Sequence, residues 1–114
     1  MKSSFNLDYL NEIGSGNNEF IKSVINLFLE STPVQMNNLA LGIQDKNFVV
    51  IKANAHKLKS SFRAVGAEKS ADIVADIEAA SMDNNIAIIN DVFRELEINF
   101  KELTNSLSQH IVKS

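Results

Sequence analysis

Residues 48–67 read FVVIKANAHKLKSSFRAVGA, and the reading of this stretch decides the fold class. Phe48, Ile51, Ala55, Leu58, Phe62 and Val65 recur at alternating steps of three and four. That is the one-faced stripe of a helix buried along one side. Working outward, Ile86, Ile89, Phe93, Leu96, Phe100, Leu103 and Leu107 repeat the pattern. The segment from Phe20 to about Ile43 is apolar over a wider face, and Glu68 to Met82 carries Ile73, Val74, Ile77 and Ala80. A short helix is expected around Leu7 to Ile13. Four glycines and one proline leave little punctuation for strands.

The breaks between these segments are short. GSGNN (14–18) precedes the first long helix, QDKN (44–47) the next, and MDNN (82–85) the last. Asp45 is a plausible N-cap, and Gly66 stands where a helix would end on a left-handed glycine. Ser31-Thr32-Pro33 either starts a new helix or sits inside one long, kinked helix. The apolar face continues through Val34, Met36, Leu39 and Ile43, which favours the single helix. Short connections make consecutive helices antiparallel neighbours. The expected fold is all-α: an antiparallel up-down-up-down four-helix bundle with a short additional N-terminal helix, one domain over residues 1–114.

Composition removes several function classes. The chain has 114 residues, 45% of them hydrophobic, enough for one core. No run of about 18 apolar residues predicts a membrane span, and the N-terminus lacks the apolar core of a secretory signal. Without cysteine there is neither a disulfide framework nor a thiolate metal site. These features favour a cytoplasmic protein, and the initial methionine with no linker favours a free-standing one. A net charge of −3 argues against nucleic-acid binding. No phosphate-binding glycine loop is present, and the GSG at 14–16 lacks a preceding strand. A metal–carboxylate bundle would need Glu-x-x-His pairs. Ala53 and Leu107 occupy the positions three before the two histidines, so no metal ligand set is expected.

One of those histidines, His56, lies in the opening stretch. Lys52, His56, Lys59 and Arg63 each follow a stripe residue by one position. At about 100° per residue they form a second stripe, on the rim of the same helix. Nearby positive charge disfavours an imidazolium, and a neutral imidazole is a nucleophile. The same cations suit a phosphoryl group placed on the ring. Spacing alone leaves two readings of His56, an ordinary surface histidine or a reactive one. His110 continues the apolar stripe of the last helix and reads as structural or incidental.

The segment AHKLKSSFRAVGA (55–67) resembles the signature of histidine-containing phosphotransfer (HPt) domains, with matches at His56, Leu58, Lys59, Ser61, Gly66 and Ala67. The stretch 8–33 is similar to the first helix, loop and second helix of that family, and IEAA (77–80) falls where it usually has Leu-Glu. The resemblance implies a phosphocarrier of a two-component phosphorelay, without kinase activity of its own. His56 would accept a phosphoryl group on Nε2 from a receiver-domain aspartyl-phosphate and pass it to another receiver. Lys59 would contact the phosphoryl oxygens, with Lys52, Ser60 and Arg63 in support. Glu78, or a nearby polar residue on the fourth helix, would accept a hydrogen bond from Nδ1–H.

Receiver domains, of response regulators or hybrid kinases, are the implied partners, and Mg²⁺ would come with the receiver. Docking would use Leu10, Ile13 and the close approach allowed at Gly66. Leu10 and Ile13 could instead be buried, holding the first helix to the bundle. Two positions depart from the family: Ser60 replaces the glycine that gives a partner room, and Ser70 replaces a leucine and should soften the packing. The alternative function is a helical adaptor that binds receiver or kinase domains without being phosphorylated. A monomer is expected, on the reasoning that the helices satisfy their apolar faces internally.

Overall fold

The computed structural model describes residues 5–113. Residues 1–4 and 114, included in the expected 1–114 domain, lie outside the described part. The described residues form five helices: α1 (Asp8–Ile13), α2 (Asn18–Gln44), α3 (Phe48–Ala64), α4 (Glu68–Met82) and α5 (Ile86–Lys113). No strand occurs among the described residues. Around the bundle α2 packs on α3, α3 on α4, α4 on α5, and α5 closes the ring against α2. The fold is the helical bundle that the apolar stripes predict. No helix among the described residues is long and apolar enough to cross a membrane.

Each bundle turn is three residues long: Asp45 to Asn47, Val65 to Ala67 and Asp83 to Asn85. The middle residue is left-handed every time, with φ of 53° at Lys46, 67° at Gly66 and 52° at Asn84. The third residue's N–H then reaches back to a helical carbonyl, Asn47 to Gly42, Ala67 to Phe62 and Asn85 to Ala80, at 2.8–3.0 Å. This arrangement satisfies carbonyls that a helix end leaves open. Gly66 is therefore the left-handed terminator expected after α3. The expectation for Asp45 was wrong. Asp45 is the C-cap of α2, and the N-cap of α3 is Asn47, whose side chain accepts from Val50 N–H. Aspartate and asparagine cap equally well, so the choice fell to where α2 ends.

Pro33 lies inside α2, which runs on through it. Proline has no N–H to give the carbonyl of Leu29, one turn back. Burial holds the helix together here, since Phe28, Thr32, Met36 and Leu39 all face the interior.

The core draws on all five helices, including Leu10, Ile25, Leu58, Ile77 and Leu96. Phe62, fully buried on α3, meets Phe28 of α2 and Phe100 of α5 with ring centroids 6.0 and 6.3 Å away. Ser70 on α4 is buried. With 28 residues, α5 is about 42 Å long and sets the 43 Å length of the molecule. The N-terminal segment covers the end where α3 stops and α4 begins. Asn6 N–H donates to the Gly66 carbonyl at 3.0 Å. Phe5 meets the His110 ring edge-on at 5.8 Å, which favours the structural over the incidental reading of His110.

One expectation fails at this scale. The helices do not satisfy all their apolar faces internally: α2 leaves Leu27, Val34 and Leu41 exposed.

Candidate functional site

The α3 stripe that buries Ile51, Ala55, Leu58 and Phe62 fixes where its neighbours point. His56 is one position past Ala55 and so emerges at the rim, with 67% of its side chain exposed. Lys59 is one turn on, and Glu78 comes from α4 to meet both. His56 Nδ1 lies 3.2 Å from Glu78 Oε2, and Lys59 Nζ donates to Glu78 Oε1 at 2.9 Å. Side-chain exposure falls to 21% at Lys59 and 14% at Glu78. The cluster is thus graded from a half-sunk carboxylate to an open imidazole.

An ionised carboxylate can only accept hydrogen bonds. Its contact with His56 therefore places the ring proton on Nδ1 and leaves the lone pair of a neutral ring on Nε2. Among the described residues Nε2 has no partner. The Lys59 ammonium, through its hydrogen bond, holds the Glu78 carboxyl below its ordinary value of 4.5. Burial pulls the other way, and the hydrogen bond from His56 adds to the lowering.

Of the residues singled out in the sequence, His56, Lys59 and Glu78 converge. Lys52 and Arg63 are exposed, with no ion-pair partner among the described residues. Ser60 is exposed one turn beyond His56 and lines an open groove of about 640 Å³ with Tyr9, Arg63, Ala64, Gly66 and Glu68 among its walls. Leu10 and Ile13 part company. Leu10 is buried and is corrected from a docking residue to a core residue that fastens α1, whereas Ile13 is exposed. Gly66 meets the N-terminal segment at Asn6 rather than a neighbouring helix.

Periodicity alone showed only cations around His56, because α4 supplies the carboxylate from 22 residues away; it was the family resemblance that pointed to Glu78. Lys59 was read as free for an incoming anion, yet it is already bonded to Glu78. Helical periodicity reports the face of one helix and carries no signal for which residue of another helix meets it. The Tyr9 side of the groove was missed for the same reason.

Comparison with known families matches the model of the Hpt domain to residues 23–110. The chain belongs to the Hpt domain family. The matched span takes in nearly all of α2, all of α3 and α4, and α5 as far as His110; α1 lies outside it. No match was found among curated proteins or among solved structures. Hpt domains carry out histidine phosphotransfer in phosphorelays, as phosphocarriers that interact with receiver domains.

Proposed function

We propose that this Hpt domain carries its phosphoryl group on His56 Nε2, taking it from one receiver's aspartyl-phosphate and giving it to another's aspartate. The observation that carries this reading is an open imidazole whose Nδ1 is held by a carboxylate. In the forward step the Nε2 lone pair attacks phosphorus. The P–N bond forms as the P–O bond to the receiver's aspartate breaks, and that carboxylate leaves with the electron pair. The ring gains positive charge, which Glu78 stabilises through Nδ1–H. The second receiver's carboxylate reverses the sequence, with His56 as leaving group.

Lys59 has three N–H donors. One remains with Glu78 while another reaches the phosphoryl oxygens. Lys52 and Arg63 add positive charge along the same stripe, and Mg²⁺ comes with the receiver. The receiver docks over this stripe and the groove beside Ser60, with Ile13 and Tyr9 at its margin. Ser60 keeps a small side chain where the partner must come close.

The test is transfer of radiolabel from a phosphorylated receiver domain to the wild type and to His56→Gln. Label that is acid-labile, base-stable and absent from the variant is the expected result. Label that persists in His56→Gln, or no label in a folded wild type from any receiver tried, overturns the assignment.

A further inference from the structure

The inner side of the His56 cluster is fully engaged and its outer side is not. Glu78 holds His56 Nδ1 at 3.2 Å and Lys59 Nζ at 2.9 Å, both from α4. The two ring nitrogens of an imidazole are distinct and point nearly opposite ways. With Nδ1 turned to α4, Nε2 is turned away from it, across the outer face of α3. Helix geometry decides which residue stands there. Seen down the axis, Lys59 lies about 60° from His56 on the α4 side, and Ser60 about 40° from it on the other. Ser60 is one turn along from His56, a spacing that sets Cβ atoms about 5–6 Å apart. Its Cα–Cβ bond tilts toward the helix N-terminus, which is the direction of His56. The next residue, Ser61, already faces α2, where its hydroxyl reaches Gln35.

Ser60 is exposed, and its hydroxyl makes no hydrogen bond among the described residues. Ser31, Ser61 and Ser81 differ: each turns its hydroxyl onto a carbonyl three or four residues back. Such back-bonding is a common fate of a serine within a helix. The Ser60 donor is free instead, on a helix that carries four cations and no acidic residue to repel an anion.

We propose that Ser60 is a phosphoryl-binding residue, its hydroxyl donating a hydrogen bond to an oxygen of the phosphoryl group carried on His56 Nε2. The inference rests on the assignment of His56. The hydroxyl keeps its proton and forms no covalent bond, so the transfer step itself is unchanged. The phosphoryl group sits between the Lys59 ammonium on one side and the Ser60 hydroxyl on the other. A hydrogen bond to an ionised oxygen is stronger than one between neutral groups. This one exists only after transfer and is lost as the phosphoryl group moves off Nε2. It therefore draws the phosphoryl group toward this carrier and slows its departure to water. The glycine of the family signature has no hydroxyl, so the contact belongs to this chain rather than to the family.

The test uses potassium phosphoramidate, a small donor that needs no docking, to load the wild type, Ser60→Ala, Ser60→Val and Ser60→Thr. Phosphorus NMR then follows the phosphohistidine signal once the donor is removed. The signal is expected to decay about 3- to 10-fold faster in Ser60→Ala and Ser60→Val, with Ser60→Thr close to the wild type. Decay that follows the hydroxyl and not the size of the side chain separates hydrogen bonding from packing. At equilibrium with a phosphorylated receiver domain, Ser60→Ala should hold less of the label than the wild type, a ratio that does not depend on how well the receiver docks. Unchanged decay and unchanged partition in Ser60→Ala overturn this inference and leave the assignment of His56 standing. A folded wild type that gives no phosphohistidine signal overturns both.

Discussion

Glu78 serves two donors with one carboxylate, His56 through Oε2 and Lys59 through Oε1. Its carboxyl is held below 4.5 in the folded protein, first by Lys59. A carboxyl that binds its proton less tightly when folded favours folding whenever it is ionised. The contribution is complete above pH 4.5 and is lost as pH falls through the lowered folded value. Glu78→Gln mimics the protonated group. The wild type should therefore be the more stable protein at pH 6–7, by up to about 1 kcal/mol. Denaturant unfolding at a series of pH values should show the gap closing below pH 4.5. A gap independent of pH would mean that packing, not charge, stabilises the pair. In the proposed transfer Lys59→Ala would remove a charge-assisted donor to the phosphoryl group, worth about 1.5–3 kcal/mol. Transfer from a phospho-receiver should slow about 10- to 100-fold, as rapid-quench kinetics would measure. The histidine and lysine were legible in the sequence as a cationic rim. That they share a carboxylate was not legible from periodicity, because the sharing is a contact between helices.

At the scale of the element, the turns decide where helices begin. The apolar stripes located all five helices to within a few residues, except that α5 continues to Lys113, well past its last stripe leucine. They did not choose between Asp45 and Asn47, since both are good caps and only the three-residue turn selects the second. Asn47→Ala should lower stability by about 1 kcal/mol. Asp45→Ala should stay within about 0.5 kcal/mol. Paired thermal melts would distinguish them, and equal losses would mean that the Asn47 bond to Val50 N–H contributes nothing. Pro33 illustrates the opposite limit. Local propensity allowed a break there, and the buried face on both sides kept α2 whole.

Across the whole molecule, the core is what the sequence displayed best. Fully buried residues such as Ile51, Leu58, Phe62, Leu96 and Leu103 are the stripe positions themselves. Phe62 joins α2, α3 and α5 through the aromatic cluster, and Phe62→Ala should cost about 3–5 kcal/mol. Total stability for such a domain is about 5–15 kcal/mol. The variant should therefore unfold at much lower denaturant, and a shift below about 1 kcal/mol would show that the cluster repacks. The outer surface was harder to read. Whether an apolar residue such as Leu27, or one such as Leu10, ends up covered depends on which helices become neighbours, and no single stripe contains that information.

Gly66 carries one consequence beyond this chain. The left-handed backbone alone does not demand glycine, since Lys46 and Asn84 adopt it in the other two turns. The demand comes from Asn6, whose backbone occupies the space a Cβ would need at Gly66. Position 66 is thus tied in space to a segment sixty residues upstream, outside the span matched to the family. Among related sequences, those that lose the segment before the second helix are free to let this position drift to asparagine or lysine. Those that keep the segment are not, so the two features should be inherited together.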